Sequence, residues 1–133
     1  MSTRAVENAL SARAAGYGDL PKEWLNQGFD PAADGNLPYL SFDLVRSGTD
    51  DDTLGQDAPM GPGRLVLTVV GRAGAGTGTL SDHADAIAAL FPSGERIAAG
   101  GKTITITAPG HVMDGYKDGA YWRTPVVVRF VVT

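Results

Sequence analysis

No cysteine occurs in the 133 residues, so disulfides and thiolate metal centres are excluded and the chain is compatible with a reducing cytoplasm. Imidazole is nearly as scarce, with His83 and His111 the only two candidates for a metal ligand or general base. Nowhere does the sequence approach the ~20 consecutive apolar residues of a membrane span. The first twenty residues also lack the apolar run of a secretory signal, so the expectation is a soluble protein, without membrane contact, that is not exported by that route. Bases are outnumbered eleven to fifteen, and the net charge of -4 argues against a general nucleic-acid binder held by phosphate contacts. Apolar and charged shares of 43% and 20% are those of an ordinary globular protein, which argues against wholesale disorder. The length leaves room for one core, so a single domain over residues 1–133 is expected.

Glycine is abundant, with 18 residues that imply many tight turns. Charge is distributed unevenly. Residues 47–63, SGTDDDTLGQDAPMGPG, hold Asp50, Asp51, Asp52 and Asp57 and no base, so the rest of the chain balances at eleven acids and eleven bases. A loop of this length without its own structure is usually functional or disordered. Pro59, Gly61, Pro62 and Gly63 stiffen its exit, which favours a protruding arm that orders on a partner; the alternative is a solvated hairpin tip. Asp50, Asp51, Asp52 and Asp57, with Leu54 and Met60 as the apolar handles, are the candidate assembly contacts.

Periodicity supplies the elements. Residues 3–15, with Val6, Ala9, Leu10 and Arg13 at helical spacing and Gly16 and Gly18 behind them, predict a helix. A long connection follows, anchored by Trp24, Leu25 and Phe29 and holding at most a short strand near Trp24. Residues 37–46 alternate with period two and predict a strand with one buried face. GRLVLTVVGR, residues 63–72, is apolar on both faces and reads as a strand covered on both sides, paired with the previous one as a hairpin with a very long tip. Leu80, Ala84, Ile87, Ala88 and Phe91 form one stripe of an amphipathic helix over residues 79–91, capped by Thr79 or Ser81 and ended by Pro92. KTITIT, residues 102–107, turns Ile104 and Ile106 inward, residues 109–119 read as a loop or ragged hairpin, and residues 121–133 form a long β-branched strand. This order favours an α+β fold: a mostly antiparallel or mixed sheet, two helices packed on one face, and a long β-hairpin arm.

Two glycine motifs invite a chemical reading. Gly74, Gly76 and Gly78 stand between a strand and a helix, where a dinucleotide fingerprint would place its pyrophosphate. Their spacing is G-x-G-x-G rather than G-x-G-x-x-G, and no second βαβ half follows, so a turn is the better reading. GGKT at residues 100–103 resembles the end of a phosphate loop. Its first glycine would have to be residue 96, which is Arg96, and the segment after Lys102 is a strand, so a hairpin turn at Gly100 and Gly101 is expected instead. Asp82, His83 and Asp85 are too close in sequence to share a helical face and read as dipole-favoured residues of a first helical turn. His111 and Asp114 read as solvated loop residues. No nucleophile elbow, zinc-helix motif or separated carboxylate pair is present, so no catalytic residue, cofactor or metal is expected and the chain is read as structural and not as an enzyme.

In order along the chain, FDPAADGNLPYLSFDLV, the aspartate-rich loop, GRLVLTVVGRAGAGTG, SDHADAIAALFPSGERI, KTITITAP and DGAYWRTPVVVRFVV resemble the tail terminator, or tail completion, proteins of long-tailed phages, the lambda-type siphophage family. The similarity covers about residues 24–133. It implies a virion protein that assembles in the cytoplasm of the host bacterium as a ring, expected to have six copies, at the head-proximal end of the tail tube. That ring would end tube polymerisation and join the tail to the head. The implied partners are further copies of the chain, the tail tube protein and a connector or neck protein, with DNA only passing through the channel. The family transfers no catalytic residue. The competing readings are a small nucleotide- or ligand-binding domain built on the turn from Gly74 to Gly78, and another ring-forming neck or tail-tube component.

Overall fold

In the computed structural model, which describes residues 3–24, 28–31, 37–46 and 61–133, the elements run α1 (Thr3–Ala15), β1 (Lys22–Glu23), β2 (Tyr39–Arg46), β3 (Gly61–Arg72), α2 (Gly78–Ala88), β4 (Arg96–Ala99), β5 (Lys102–Ile106), β6 (His111–Val112), β7 (Tyr116–Asp118) and β8 (Tyr121–Val132). The fold is the expected α+β arrangement. The sheet order is β1-β2-β3-β8-β5-β4, with β6 and β7 also paired to β8. It is mixed because β1 runs parallel to β2, while the other pairings are antiparallel.

The β-branched strand β8 is the spine. One edge pairs with β3 over its whole length, from Gly61 opposite Val132 to Arg72 opposite Tyr121. The other edge is shared in turn by β5, β6 and β7, so residues 102–118 form a broken strand alongside it. The break has a chemical cause. A strand residue points its N–H and C=O to the same edge, and the carbonyl of Pro125 accepts from Met113 N at 2.9 Å on this one. Pro125 has no N–H to offer there, so the stretch between β6 and β7 leaves no donor unpaired.

Both helices lie on one face. Val6, Leu10 and Ala14 of α1 and Leu80, Ala84 and Ile87 of α2 join one buried cluster with Leu40, Phe42, Leu65, Leu67, Val69, Val126, Val128, Phe130, Ile104 and Ile106 from the sheet. Each of the valine, leucine, isoleucine and phenylalanine side chains contributes about 1.5–3 kcal/mol relative to exposure. Between α1 and β2, the described chain adds β1 as the edge strand beside β2. Trp24 packs against Phe42 on the helical face with ring centroids 5.5 Å apart and planes tilted by 59°, and Phe29 against Tyr39 on the opposite face at 4.6 Å and 43°.

Three local expectations are corrected. α2 begins at Gly78, after Thr77, which makes no side-chain cap bond, so neither Thr79 nor Ser81 is the cap. The positive φ of Gly76, 90°, turns the chain early enough for Thr77 O to accept from Ser81 N at 2.9 Å. Consequently the first turn of α2 contains no acid, and Asp82 and Asp85 are simply exposed. The helix also stops at Ala88, and Phe91 reaches the core from a following turn tightened by Leu90 N donating to Ile87 O. Finally, β3 is not covered on both sides. Leu65, Leu67 and Val69 are buried under the helices, but on the far face only Val70 is closed, Val66 and Thr68 are half-buried, and Arg64 and Arg72 are exposed. β-Branched residues suit an open sheet face as well as a covered one, which is why the run misleads.

Candidate assembly surface

The helical face is closed and tied together by polar contacts. Arg13, in the last turn of α1, donates from Nη1 to Leu90 O at 3.1 Å and from Nη2 to Glu95 Oε2 at 2.7 Å. Tyr17, just past α1, shares a hydrogen bond between its hydroxyl and His83 Nδ1, with the two rings edge to face at 5.7 Å. His83 therefore ties α2 to the chain just past α1 rather than serving as a dipole partner. Burial, with a smaller contribution from the charge of Asp19, raises the Tyr17 phenol above its ordinary value.

Among the described residues the opposite sheet face carries no helix. Its rows follow from the register: Arg64 of β3 stands directly opposite Arg129 of β8, with Val45 beyond Arg64; next come Asp43, Val66, Val127 and His111. Arg64 and Arg129 are both exposed, and neither forms an ion pair with any described residue. A groove of about 330 Å³ runs beside them, lined by Arg64, Val66, Met113, Pro125, Val127 and Arg129. Met113 is 45% exposed although it is large and apolar. Nearer the β7–β8 turn, Arg123 Nε donates to Asp118 Oδ2 at 2.7 Å, so its charge is partnered.

The Gly74 to Gly78 turn lines a separate cleft of about 380 Å³ with Leu37, Pro38, Arg72 and Leu80. Topology removes the dinucleotide reading of it. After α2 the chain proceeds to β4, separated from β3 by β8 and β5, and every step between them is antiparallel, so no parallel βαβ crossover exists. Gly100 and Gly101, with φ of 57° and 87°, form the two-residue turn joining Ala99 of β4 to Lys102 of β5, as expected of that GGKT segment. His111 is exposed on β6, and Asp114 is exposed beyond it. Among the described residues no three His, Asp or Glu side chains converge as a metal site would require.

The candidate contacts Asp50, Asp51, Asp52, Leu54, Asp57 and Met60 lie outside the described residues. What the fold supplies is their base: β2 and β3 pair up to Arg46 opposite Gly63, and β3 continues to Gly61 against Val132. Sequence reasoning missed Arg64 and Arg129. Each is a lone base within an apolar run, GRLVL and VVRFVV, and that pattern marks a position on an open sheet face. Only the β3–β8 register places them side by side.

The sequence matches the family model described as phage tail terminator protein over residues 4–130. No curated protein matches it. One solved structure superposes with a TM-score of 0.81 at 22% identity, covering 100% of this chain and 96% of its own. A chain of the structure described as the virion of a native gene transfer agent particle superposes with a TM-score of 0.58 at 15% identity, covering 96% of this chain and 93% of its own. At these identities the likeness speaks for the fold.

Proposed function

This chain belongs to the phage tail terminator family, and from that premise we propose that it forms a closed ring at the head-proximal end of a phage tail tube. Its role in the tail is structural. The ring, which we take to have six copies, ends polymerisation of the tube and offers the connector or neck protein a surface, while DNA passes through its channel. Assembly takes place in the cytoplasm of the host bacterium, and the finished protein resides in the virion.

The observation that carries this reading is the family match over residues 4–130, which takes in both helices and nearly the whole sheet. The open sheet face supports it. A β-sheet with one face buried and the other lined by half-exposed valines and arginines is suited to packing against further protein. The arm carrying Asp50, Asp51, Asp52, Leu54, Asp57 and Met60 supplies each copy with a second contact region, directed at a neighbour or the tube.

The test combines mass photometry of the protein, free and mixed with purified tail tubes, with electron microscopy of particles made without it. Closed rings at tube ends, and tubes of uncontrolled length that fail to join heads in its absence, are expected. A lone copy per virion, or an open filament, would overturn the ring.

A further inference from the structure

We infer that the Arg64–Arg129 pair on the open sheet face receives the aspartate-rich segment, residues 47–60, of a second copy of this chain. The inference rests on the ring reading and names the two surfaces that make its subunit contact.

Directly opposed residues on one face of an antiparallel pair hold their Cβ atoms roughly 5 Å apart, so the two side chains rise from neighbouring positions. Like charges so placed repel, and no described acid relieves them. Among the described residues Asp43 is the nearest acid by register, diagonal to Arg64, yet it is exposed and makes no ion pair with any of them. The pair is bordered by Val66, Pro125, Val127 and the exposed Met113. Arginines beside an apolar groove are typical anchors of a protein interface, where partial removal of water strengthens a two-pronged hydrogen bond to carboxylate.

The complementary charge is in the chain itself. All the negative excess sits in residues 47–63, and the remainder is neutral. Asp50, Asp51 and Asp52 repel one another until they meet bases, and Leu54 and Met60 match an apolar groove. In sequence the segment joins Arg46 of β2 to Gly61 of β3, both at one end of the ladder, whereas the groove runs from Arg64 back towards Pro125. The two strand ends to which it is joined therefore lie on the far side of Arg64 from the groove, which favours the groove of another copy over its own. Because donor segment and receiving groove are different patches, the contact is head-to-tail, the kind that closes into a ring when its rotation permits. Duplex DNA fits the face less well, since two arginines among valines do not track a phosphate backbone and the chain is net acidic.

Charge reversal and mixing test the contact. One variant carries Arg64→Glu and Arg129→Glu, the other Asp50→Lys, Asp51→Lys and Asp52→Lys. Each alone should weaken self-association at least tenfold, by mass photometry in solution and on tail tubes, with the wild-type melting temperature retained. Mixed in equal amounts they should reassemble, because each reversed face then meets a reversed segment. Should the glutamate pair impair folding, Arg64→Gln with Arg129→Gln should still dissociate the assembly. Wild-type association by the reversed or glutamine variants overturns the inference. So does failure of the mixture where all five reversals in one chain restore assembly, which would place the contact within a copy. Duplex binding lost by the arginine variant with assembly intact overturns it in favour of DNA. A wild-type chain that never associates, free or on tubes, defeats the ring reading as well, whereas wild-type assembly that ignores the reversals defeats this contact alone.

Discussion

Gly71 of β3 lies against Leu80 of α2: a Cβ on this glycine would stand 2.7 Å from both Leu80 methyl carbons. The first turn of the helix thus seats on bare backbone. Gly71→Ala has no space to occupy and is expected to destabilise the domain by about 1–3 kcal/mol through overpacking. The midpoint of urea unfolding should fall without a change in slope. An unchanged midpoint would mean that α2 is free to lift off the sheet.

Alkaline pH should weaken the fold. Burial raises the phenols of Tyr17 and Tyr39 above 10.0, outweighing at Tyr39 the opposing charge of Arg123. Each folded phenol keeps its proton at a pH where the unfolded chain has released it. Stability is therefore fully present below pH 10 and falls as pH rises through the folded values. Tyr17→Phe should flatten that decline in thermal melts recorded from pH 9 to 11.5, and an identical slope would remove Tyr17 from the account.

The contact from Arg13 to Glu95 is half-exposed, with side-chain exposures of 31% and 35%, so its coupling should be small. A double-mutant cycle on Arg13→Met and Glu95→Gln is expected to give about 0.5–1 kcal/mol. Arg13→Met alone should cost more than Glu95→Gln, because it also abandons the carbonyl of Leu90. Equal losses would assign that carbonyl no role.

Deletion of residues 50–58 should leave the far-UV circular dichroism and melting temperature unchanged, since β2, β3 and the core lie outside the deletion. Capping of tail tubes should be abolished. Normal tail length and head joining by the deletion variant would return the segment to a solvated loop.

Calorimetry with NAD or ATP should register no micromolar binding at the turn from Gly74 to Gly78, given its spacing and the absence of a parallel crossover. Binding that disappears on replacing Gly76 with a bulky residue would restore the ligand-binding reading.

Much of this molecule is local in origin and was legible in the residues. The 3.6-residue stripe of Leu80, Ala84 and Ile87 and the alternation of Ile104 and Ile106 follow from burying one side of a helix or strand. The Gly100–Gly101 turn follows from the positive φ that its two positions require. The order of these segments carried the family resemblance as well. Tertiary structure decided what depends on pairing across long sequence distances. It joined β8 to β3 on one edge and to the broken strand of residues 102–118 on the other, set Pro125 where no donor is needed, and placed both described helices on the same sheet face. The opposition of Arg64 to Arg129 belongs to that second class, because periodicity states which face a residue occupies but not which residue of a distant strand stands beside it.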